Sequence, residues 1–518
     1  MKAKRLSAVL MSALILAGGC SSNQTAGGEK KEAKEDPNQK FTVTAIDYRY
    51  GDPPPKDGKG LKMINEKFNV DYQVQFVPQA DYKEKLSAVI ASGDVPDIVG
   101  FEATDNRFSK WASQGAFLPL DDYIQKYDSL KNVPSYVWDS MKVNGKIYGI
   151  PTYYPMYDLT PELRKDWLDK LGLKMPANYE ELMKVAEAFT NNDPDGNGKK
   201  DTYGFAMGQN INPDYDMGAY WNSDVWLHKN KDGKYIPGLI SDARKELIQN
   251  FQKLYKENAI TKDYAVMTWP DTNKEFFSGK AGIFLGAPLG MADPYMDSLL
   301  KIQPNAQLAP IPPFKDPDGH TGFAATTGYG GMTAISAKDA QDPKKLDRIL
   351  KMIDFGRKFY PRNERNADNK DFDWWWGHEG KGYTVQNGNA QLVANFANDG
   401  LTPSTYYVDN AMWAPSDDAM EYAKDYKNPV LKQLAQDLEN MHKSSNHYLN
   451  PVNGLVSETA QQKKDELNQY LLDEQTKMIS GQRPISEWDQ MVQEFLTRGG
   501  QQMIDEYNSQ IKEKNYWK

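Results

Sequence analysis

The sequence is almost free of cysteine and poor in histidine. Its 518 residues include one cysteine, Cys20, and five histidines. One cysteine cannot form an intrachain disulfide, so a disulfide framework and a multi-thiolate metal site are both excluded. The histidines do not show the spacing of a zinc site. They are His228, His320, His378, His442 and His447.

A block of basic residues is also lacking. The chain has 62 lysine and arginine residues against 71 aspartate and glutamate residues, and its formal net charge is −9. Nucleic acids and anionic membrane faces attract cationic patches. The acidic balance therefore predicts that nucleic acid is not a partner.

Catalytic fingerprints are missing as well. The sequence contains no G-x-S-x-G turn, Walker loop or dinucleotide fingerprint. Acidic residues are common, however, and the two carboxylates of a glycosidase can lie far apart in the chain. A secreted sugar-cleaving enzyme therefore remains an alternative interpretation, as does an adhesion or sensory lipoprotein without a transport role.

The only apolar run of note lies at the start. Lys2, Lys4 and Arg5 precede the apolar segment 6–17, and small residues follow at 17–19. This order predicts a secretory signal peptide at 1–19, and its core is too short for a membrane span. Removing the three cations changes the formal net charge from −9 to −12.

The residues after this segment predict a membrane attachment. Cys20 follows LAGG directly and has no second cysteine to pair with. The pattern resembles a bacterial lipobox, whose cysteine is acylated, so we expect Cys20 to carry lipid. Residues 20–40 are polar and lack apolar periodicity, which predicts a flexible tether.

The next part of the chain predicts an α/β fold. Residues 41–46, 70–76 and 97–101 read as strands, and Tyr82, Leu86, Val89 and Ile90 have helical spacing. The order strand, helix, strand predicts a parallel sheet covered by helices. Ligands bind beyond the carboxyl ends of such strands, where Arg49 and Glu102 follow two of them.

Two further helices are predicted around residues 160–191. Thr160 and Pro161 are typical of a helix start, and Gly172 is typical of a helix end. Asn178 is a predicted N-cap, with Glu181 as its capping-box partner.

The loop after the second helix predicts a calcium site. Its oxygen-bearing residues stand at positions 1, 3, 5, 7 and 9 of an EF-hand-like pattern, where calcium takes carboxylate, amide and main-chain oxygens. The predicted ligands are Asp193, Asp195, Asn197, the Lys199 carbonyl and Asp201. Position 12 is Gly204 instead of a bidentate glutamate, so water or a distant residue would complete the shell. A second acidic loop, Asp316–His320, lacks later ligands and predicts a plain turn.

Several motifs together resemble one protein family. They are NGKIYGIP at 144–151, RKDWLDKLGL at 164–173, DPDGNGKKDTYG at 193–204, SGDVPDIV at 92–99, FFSGKAGI at 276–283 and GHEGKGYTVQNG at 377–388. Taken together, and in the order in which they follow along the chain, these motifs resemble the extracellular solute-binding proteins of bacterial carbohydrate ABC importers. The resemblance is to the large type that includes alginate-oligosaccharide-binding and LipO-like proteins. In alginate-type relatives an acid often follows the last aspartate of the calcium loop, where this chain has Thr202.

The resemblance implies a two-lobed periplasmic-binding-protein-like fold of type II. The lobes would be discontinuous and joined by a hinge, with residues 41–150 and 325–372 in the N-terminal lobe and residues 151–324 and 373–518 in the C-terminal lobe. It also implies an oligosaccharide ligand, a permease partner, no catalysis and a monomer. The protein would be held by its lipid on the extracellular side of the cell membrane, or in the periplasm of a cell with two membranes.

Aromatic residues are the predicted walls of the sugar site. Sugar rings stack on aromatic faces, and their hydroxyls need polar partners around them. The candidate aromatics cluster outside apolar helical patterns, although burial in a core is the alternative for each. They are Tyr153, Tyr154, Tyr157, Trp221, Trp226, Trp374, Trp375, Trp376 and Trp413. Three consecutive tryptophans cannot all face one core on a helix or strand, which favours a cleft for Trp374–Trp376.

Overall fold

The computed structural model describes residues 39–49, 52–102, 104–155, 160–211, 217–284, 293–386, 388–408, 410–513 and 515–517. The predicted signal peptide, Cys20 and Tyr157 lie outside the described residues. None of the helices in these ranges has the length and apolar character that a membrane crossing requires.

The strands of the described ranges follow one another as β1 (Phe41–Arg49), β2 (Val70–Pro78), β3 (Ile98–Phe101), β4 (Lys142–Val143), β5 (Lys146–Ile147), β6 (Gly149–Tyr153), β7 (Glu162–Arg164), β8 (Tyr203–Ala206), β9 (His228–Lys229), β10 (Tyr235–Ile236), β11 (Ala281–Phe284), β12 (Leu308–Pro310), β13 (Gly322–Ala324), β14 (Tyr329–Ile335), β15 (Tyr383–Gln386), β16 (Asn389–Leu392) and β17 (Asn446–Tyr448).

The α-helices of the same ranges are α1 (Lys59–Phe68), α2 (Gln79–Ser92), α3 (Asn106–Ser113), α4 (Asp128–Lys131), α5 (Ser135–Asp139), α6 (Lys165–Lys170), α7 (Tyr179–Asn191), α8 (Asp242–Lys256), α9 (Trp269–Phe277), α10 (Asp293–Ile302), α11 (Pro343–Gly356), α12 (Lys370–Trp375), α13 (Asp417–Met420), α14 (Pro429–Lys443), α15 (Glu458–Ser480), α16 (Trp488–Phe495) and α17 (Gln501–Asn508).

The first sheet has the strand order β2–β1–β3–β14–β6. Strand β1 is parallel to β2 and β3, whereas β14 is antiparallel to β3 and β6. The inner strand β3 is buried along its whole length, and the edge strand β2 mixes buried with exposed positions. This is the pattern expected when only an inner strand is covered on both faces. The predicted strands and their parallel pairing are confirmed.

The second sheet has the strand order β12–β7–β11–β8. Strand β11 is parallel to β8, and β7 is antiparallel to both β11 and β12. Helix α7 packs beside β8, and its apolar face is buried, including Leu182, Ala186 and Phe189. The two sheets thus belong to two separate layers of helix and strand.

The prediction of a helix starting at Thr160 is wrong. Residues 162–164 form β7, and helix α6 begins only at Lys165. The reason is tertiary pairing, because Leu163 is fully buried between Ile283 of β11 and Ala309 of β12. Sheet hydrogen bonds on both sides outweigh the weak local preference of the Thr-Pro start.

The other predicted helix signals are confirmed. The Asn178 side chain accepts a hydrogen bond from the Glu181 N–H at 2.9 Å, as an N-cap does. The Glu181 carboxylate reaches back to the N–H of Ala177, one residue before the cap. The structure also shows that the Asp342 side chain caps α11 and that the last part of the chain is mainly helical, from α14 to α17.

Two large hydrophobic cores lie under these sheets. The first core contains Val43, Val99, Ile150 and Ile349, and the second core contains residues from Leu163 to Phe314 together with α15–α17. Residues 372–413 contribute Trp375, Tyr383, Tyr406, Tyr407 and Trp413 to the first core. The lobe boundaries stay a prediction, and this packing favours assigning 373–413 to the N-terminal lobe instead of the C-terminal lobe.

Candidate functional site

A cavity of about 540 Å³ lies where the end of β6 meets the end of α14. Its volume falls within the usual range of small-ligand sites, about 300–1,000 Å³. We call it the aromatic cavity. Its aromatic and charged or titratable lining residues are Tyr136, Tyr153, Tyr154, Trp413, Asp417, Asp418, His442, Lys443 and His447. Tyr153 and Trp413 pack in or against the first core, whereas α14 packs its leucines in another cluster with β11 and β12.

Two aromatic rings form a fixed corner of this cavity. The ring of Tyr153 meets that of Trp413 edge to face, with centroids 5.5 Å apart. The backbone N–H of Trp413 donates to the backbone carbonyl of Arg357 at 2.7 Å. The Arg357 guanidinium lies 5.0 Å from the centroid of the Trp413 indole. The Tyr153 hydroxyl donates to the Asp417 carboxylate. Burial and this hydrogen bond raise the pKa of Tyr153, so its hydroxyl stays a donor.

Tyr154 offers the more accessible ring. It is 38% exposed, and its side chain lies over Gly330, where an added Cβ would stand 3.0 Å from the tyrosine ring. The missing side chain at Gly330 therefore lets the ring lie close to β14. An exposed aromatic face beside a polar wall is suited to stacking a sugar ring.

A histidine pair forms the opposite side. His442 Nδ1 lies 3.0 Å from His447 Nε2, and His442 Nε2 lies 2.8 Å from the Thr160 hydroxyl. The two rings are stacked, and Phe323 covers His442 at 4.2 Å between centroids. Burial, and then the neighbouring His447, lower the pKa of His442 to about 3. Burial also lowers the pKa of His447.

The acidic side of the cavity belongs to the short helix α13. Its N-cap, Ser416, accepts a hydrogen bond from the Ala419 N–H. Asp417 and Asp418 stand in the first turn, where negative charge is favoured by the helix dipole. Lys443, at the end of α14, lies 3.3 Å from Asp418. The cavity thus offers donors, acceptors and aromatic faces, which are the elements of a polar-solute site.

Of the predicted ligand-binding residues, the structure brings Tyr153, Tyr154 and Trp413 together at this cavity. Arg49 and Glu102 lie near the carboxyl ends of β1 and β3, as expected, but they do not line it. Arg49 donates to the carbonyls of Asp52 and Thr405, and Glu102 accepts from Gln79 at 2.9 Å.

The predicted tryptophans outside the cavity lie in or against the cores. Trp221 and Trp226 are each 6% exposed and pack against Tyr179 and Tyr507, respectively. Trp375 is 2% exposed. Neighbouring rings cover these three side chains, so their packing does not favour a stacking face, and a ligand role for them stays a prediction.

The flanking tryptophans are only partly buried. Trp374 contacts Phe68 and Phe355, and Trp376 contacts Phe372 and Tyr383. Neither lines the aromatic cavity, and a ligand role for either stays a prediction.

Sequence reasoning missed the polar half of the cavity. Tyr136, Asp417, Asp418 and Lys443 were not singled out, and the histidine pair was considered only for metal spacing. One signal was available, because Ser416 followed by two acids is typical of a helix N-terminus next to Trp413. His442 and His447 are five residues apart in the chain, so their spacing is visible in the sequence, but the turn between α14 and β17 that brings the two rings together is not.

A second cavity of about 650 Å³ lies between the β9–β10 hairpin and the C-terminal segment. Although it is larger, it has one aromatic lining residue, Tyr235, whose ring is covered by the Lys229 ammonium at 4.5 Å. Lys234 and Asp505 pair across it at 2.7 Å. We therefore regard the aromatic cavity as the candidate functional site.

The predicted calcium loop folds as a tight turn. The Asp193 carboxylate accepts N–H bonds from Gly196, Asn197 and Gly198. The Asn197 amide nitrogen lies 2.8 Å from Asp195 and 3.1 Å from Asp201, so two carboxylates converge on one point.

This convergence is compatible with a cation. The Asn197 amide nitrogen bonds to the carboxylates of Asp195 and Asp201 at one point, and calcium takes carboxylate oxygens as ligands. However, no cluster of three His, Cys, Asp or Glu side chains suited to a metal occurs in the described part of the chain. Thr202 points elsewhere and donates to the Phe189 carbonyl at 2.9 Å.

The Asp316–His320 segment is a plain turn closed by its own aspartate, as predicted.

Comparison with known sequences gives a consistent result. A family model described as bacterial extracellular solute-binding protein matches residues 52–357. The polygalacturonan/rhamnogalacturonan-binding protein YtcQ of Bacillus subtilis (strain 168) is 28% identical, with 98% of each chain covered. The lipoprotein LipO of the same organism is 26% identical, over 98% of this chain and 97% of its own length.

Solved structures resemble the fold over nearly the whole chain. A human-milk-oligosaccharide (HMO) binding, ABC-transporter-associated protein of Bifidobacterium longum infantis has a TM-score of 0.67 at 18% identity, covering 92% of this chain and 100% of its own. The alginate-binding protein AlgQ2 without calcium ion has a TM-score of 0.63 at 20% identity, covering 91% and 98%. An EF-hand mutant of FusA from Streptococcus pneumoniae, in complex with fructo-nystose, has a TM-score of 0.60 at 20% identity, covering 91% and 99%. These similarities confirm the two-lobed α/β fold class.

Proposed function

The chain belongs to the family of bacterial extracellular solute-binding proteins, and from this premise we propose that it captures an oligosaccharide for the permease of an ABC importer. Members of this family bind solutes and are not enzymes, so the sugar-cleaving alternative is set aside. We propose the aromatic cavity as the binding site and a monomer as the working form.

The observation that carries this proposal is the composition of the cavity wall. Tyr153 and Trp413 form an edge-to-face corner, Tyr154 presents an exposed ring, and Asp417 and Lys443 provide an acceptor and a donor nearby. Carbohydrates need this combination, because their C–H faces stack on rings while their hydroxyls require hydrogen-bond partners.

We propose that ligand binding closes the two lobes. A ligand that contacts both sides of the cavity favours the closed conformation by its differential affinity for it. Hinge closure of this kind presents a different surface to a membrane partner. Tyr153 from the first core and the end of α14 would be the two contacting sides.

A thermal-shift screen tests the proposed function. A solute that binds only the folded protein raises the melting temperature of the protein. The increase grows with the ratio of the solute concentration to its Kd. We expect oligosaccharides to raise it and amino acids and short peptides, as control solutes, to leave it unchanged. Calorimetry on each hit gives the affinity, and sugar analysis after incubation should show no cleavage. A shift with peptides alone would contradict the proposal.

We also propose that the loop at 193–201 binds a structural calcium ion. Asp193, Asp195, Asn197, Asp201 and the Lys199 carbonyl would supply oxygens, with the Asn197 side chain rotated to present Oδ1. The converging carboxylates support this proposal. Two structural relatives also support it, because one is the alginate-binding protein AlgQ2 without calcium ion and the other is an EF-hand mutant of FusA.

Chelation tests the calcium site. Removing the ion in metal-free buffer should lower the melting temperature, and re-adding calcium should restore it. An Asp201→Asn variant should be less sensitive to chelation, whereas Asp318→Asn, in the second acidic loop, should behave like wild type. Equal melting with and without chelator in the wild type would exclude the site.

The lipid anchor is a third proposal. Cys20 follows a predicted signal peptide, and the relative LipO is named a lipoprotein. Several acyl chains hold a protein stably on a membrane, whereas one holds weakly. We expect Cys20→Ser to move the protein from the membrane fraction to the soluble fraction. A variant that stays with the membrane would refute lipidation at this residue.

A further inference from the structure

We infer that Gln303, the residue directly after α10, is a positioning residue for the calcium loop at 193–201, and that the buried Arg164 of β7 holds Gln303 in place. The inference rests on the proposed calcium site and adds to it a side chain 108 residues away in sequence from the ligand Asp195. It is carried by a continuous series of hydrogen bonds that runs from the strand to this ligand.

Arg164 is the fixed end of this series. Its side chain is 1% exposed, so the donors of its guanidinium need acceptors within the protein. Asp166 accepts two of them, from Nε at 2.9 Å and from Nη2 at 2.6 Å, and the guanidinium lies 4.5 Å from the centroid of the Trp167 ring. The third nitrogen, Nη1, donates to Gln303 Oε1 at 2.5 Å. All three nitrogens of the guanidinium are therefore bonded, which fixes its orientation.

The arginine determines which way the Gln303 amide faces. A guanidinium only donates, so the atom opposite Nη1 must be the amide oxygen. The amide nitrogen then points towards two acceptors, because Gln303 Nε2 lies 3.3 Å from the Gly279 carbonyl oxygen and 3.4 Å from Asp195 Oδ2. A flipped amide would place a donor against Arg164 and an acceptor against both oxygens. The N–H of Gln303 is therefore directed at Asp195.

This contact falls on the oxygen that faces the proposed ion. Asp195 Oδ2 accepts the Asn197 amide at 2.8 Å, at the point where the carboxylates of Asp195 and Asp201 converge. Gln303 reaches the same oxygen from α10. When Asn197 turns its Oδ1 to the ion, the Gln303 N–H still holds Asp195. Hydrogen bonds from outside the ligand shell orient carboxylate ligands in this way.

The main chain of the loop has an anchor of its own. Lys170, at the end of α6, donates to the Pro194 carbonyl at 2.9 Å. Helix α6 begins directly after Arg164, so β7 and α6 support the loop twice, through Gln303 and through Lys170. A site held in place before its ligand arrives loses less freedom on binding, which raises affinity.

Calcium titration by calorimetry tests the role of Gln303. The protein is the full chain stripped with chelator, and the probe is calcium chloride. Gln303→Met keeps a side chain of similar size and removes the hydrogen bonds to Arg164 and Asp195. Loss of a partner outside the ligand shell typically weakens metal binding 10–100-fold. We expect the Kd for calcium to rise about tenfold, the lower end of this range, because the 3.4 Å bond is long.

A purely structural role predicts a different result. If Gln303 only supported Arg164, Gln303→Met would lower the melting temperature equally with and without calcium and leave the Kd unchanged. Gln475→Met is the matched control, because Gln475 also accepts from a buried arginine, Arg244 at 2.9 Å, and donates to a carbonyl, that of Leu239 at 2.8 Å. This control should lose stability and keep the wild-type Kd for calcium.

A second variant moves the amide without replacing it. A Cβ added at Gly279 would lie 2.8 Å from Gln303 Nε2, so Gly279→Ala must displace the amide from Asp195 and should also raise the Kd for calcium. Gly279 has a φ of +77°, which strains an alanine. Gly233→Ala is the matched control, because its φ is +75° and, among the described residues, no heavy atom lies within 4 Å of its added Cβ. It should keep the wild-type Kd.

The outcomes separate this inference from the proposed calcium site. If the wild type binds calcium and the Kd is unchanged in the folded Gln303→Met or Gly279→Ala variant, the positioning role is overturned and the calcium site stands. An equal rise in Gln475→Met and Gln303→Met would also overturn it, because any loss of a buried arginine–glutamine bond would then suffice. If the wild type itself takes up no calcium, the calcium proposal fails and the inference fails with it.

Discussion

Two aromatic runs in this chain look alike in sequence and have different places in the structure. Tyr153–Tyr154 ends strand β6 and lines the aromatic cavity, whereas Trp374–Trp376 surrounds the end of α12 and packs on the first core. Both were predicted as walls of a sugar site because neither belongs to an apolar helical pattern. The comparison teaches that a cluster of aromatics predicts a binding face only where the surrounding chain leaves a ring uncovered.

Each ring of the tryptophan run contacts protein because the core reaches around the helix, although only Trp375 is fully buried. The argument that three consecutive rings cannot face one core holds for a flat core. Here Phe68 of α1 and Phe355 of α11 contact Trp374, Tyr407 contacts Trp375, and Tyr383 of β15 contacts Trp376. Three directions from a short helix therefore all meet protein.

The largest expected effect separates the two runs by stability. Trp375→Ala should lower the free energy of unfolding by about 3–5 kcal/mol, the range for truncating a buried aromatic. The cause is the cavity left against Tyr407, whose ring centroid lies 4.7 Å from that of Trp375. Urea unfolding followed by tryptophan fluorescence gives the difference, and calorimetry on the folded variant should show wild-type saccharide affinity. A folded Trp375→Ala protein that has lost its ligand would break the comparison.

The next effect concerns acid stability on the cavity side. Burial lowers the pKa of His442 from 6.5 to about 3, so the unfolded chain takes up this proton before the folded chain does. His442 therefore contributes stability above pH 6.5 that is lost as the pH falls toward 3. His442→Gln removes this contribution, and the stability gap between wild type and variant should shrink by roughly 2–3 kcal/mol between about pH 7 and about pH 4.

A matched control isolates the titration from the packing. Phe323→Leu loses ring contact with His442 but keeps the histidine. Because leucine keeps part of the burial around His442, the gap between this variant and wild type should change less over the same pH range than the His442→Gln gap does, as measured by urea unfolding at each pH. If the His442→Gln gap does not change with pH, His442 is not held neutral in the folded protein.

Much of the fold follows from local patterns in the sequence. Alternation and apolar runs located β1, β2 and β3, and the cap residues Asn178 and Glu181 located α7. What failed depended on distant partners. Leu163 became a strand residue because β11 and β12 lie on either side of it, and Trp226 was buried because Tyr507, far along the chain, covers it.

The site was predictable in its aromatic half and not in its polar half. Tyr153, Tyr154 and Trp413 carry their signal in their own segments, because these rings lie outside apolar helical patterns. The Lys443–Asp418 pair joins α14 to α13, and the Tyr153–Asp417 hydrogen bond joins β6 to α13. Such contacts arise from topology, and a single sequence without distance information does not encode them locally.

The smallest expected effect tests the exposed ring itself. Tyr154→Ala should weaken saccharide binding roughly tenfold, about 1.4 kcal/mol, because one stacked ring contributes ~0.5–1.5 kcal/mol beyond its buried area. Its melting temperature should change little, since the side chain is already 38% exposed. Two variants are the controls. Trp376→Ala lies in the tryptophan run, and Tyr123→Ala removes a half-buried ring that packs against the first core outside the cavity, with the Lys126 ammonium 5.0 Å from its centroid. Both should bind within about twofold of wild type in calorimetry. Should Trp376→Ala lose affinity while Tyr154→Ala retains it, the roles of the two aromatic runs are the reverse of those argued from their burial.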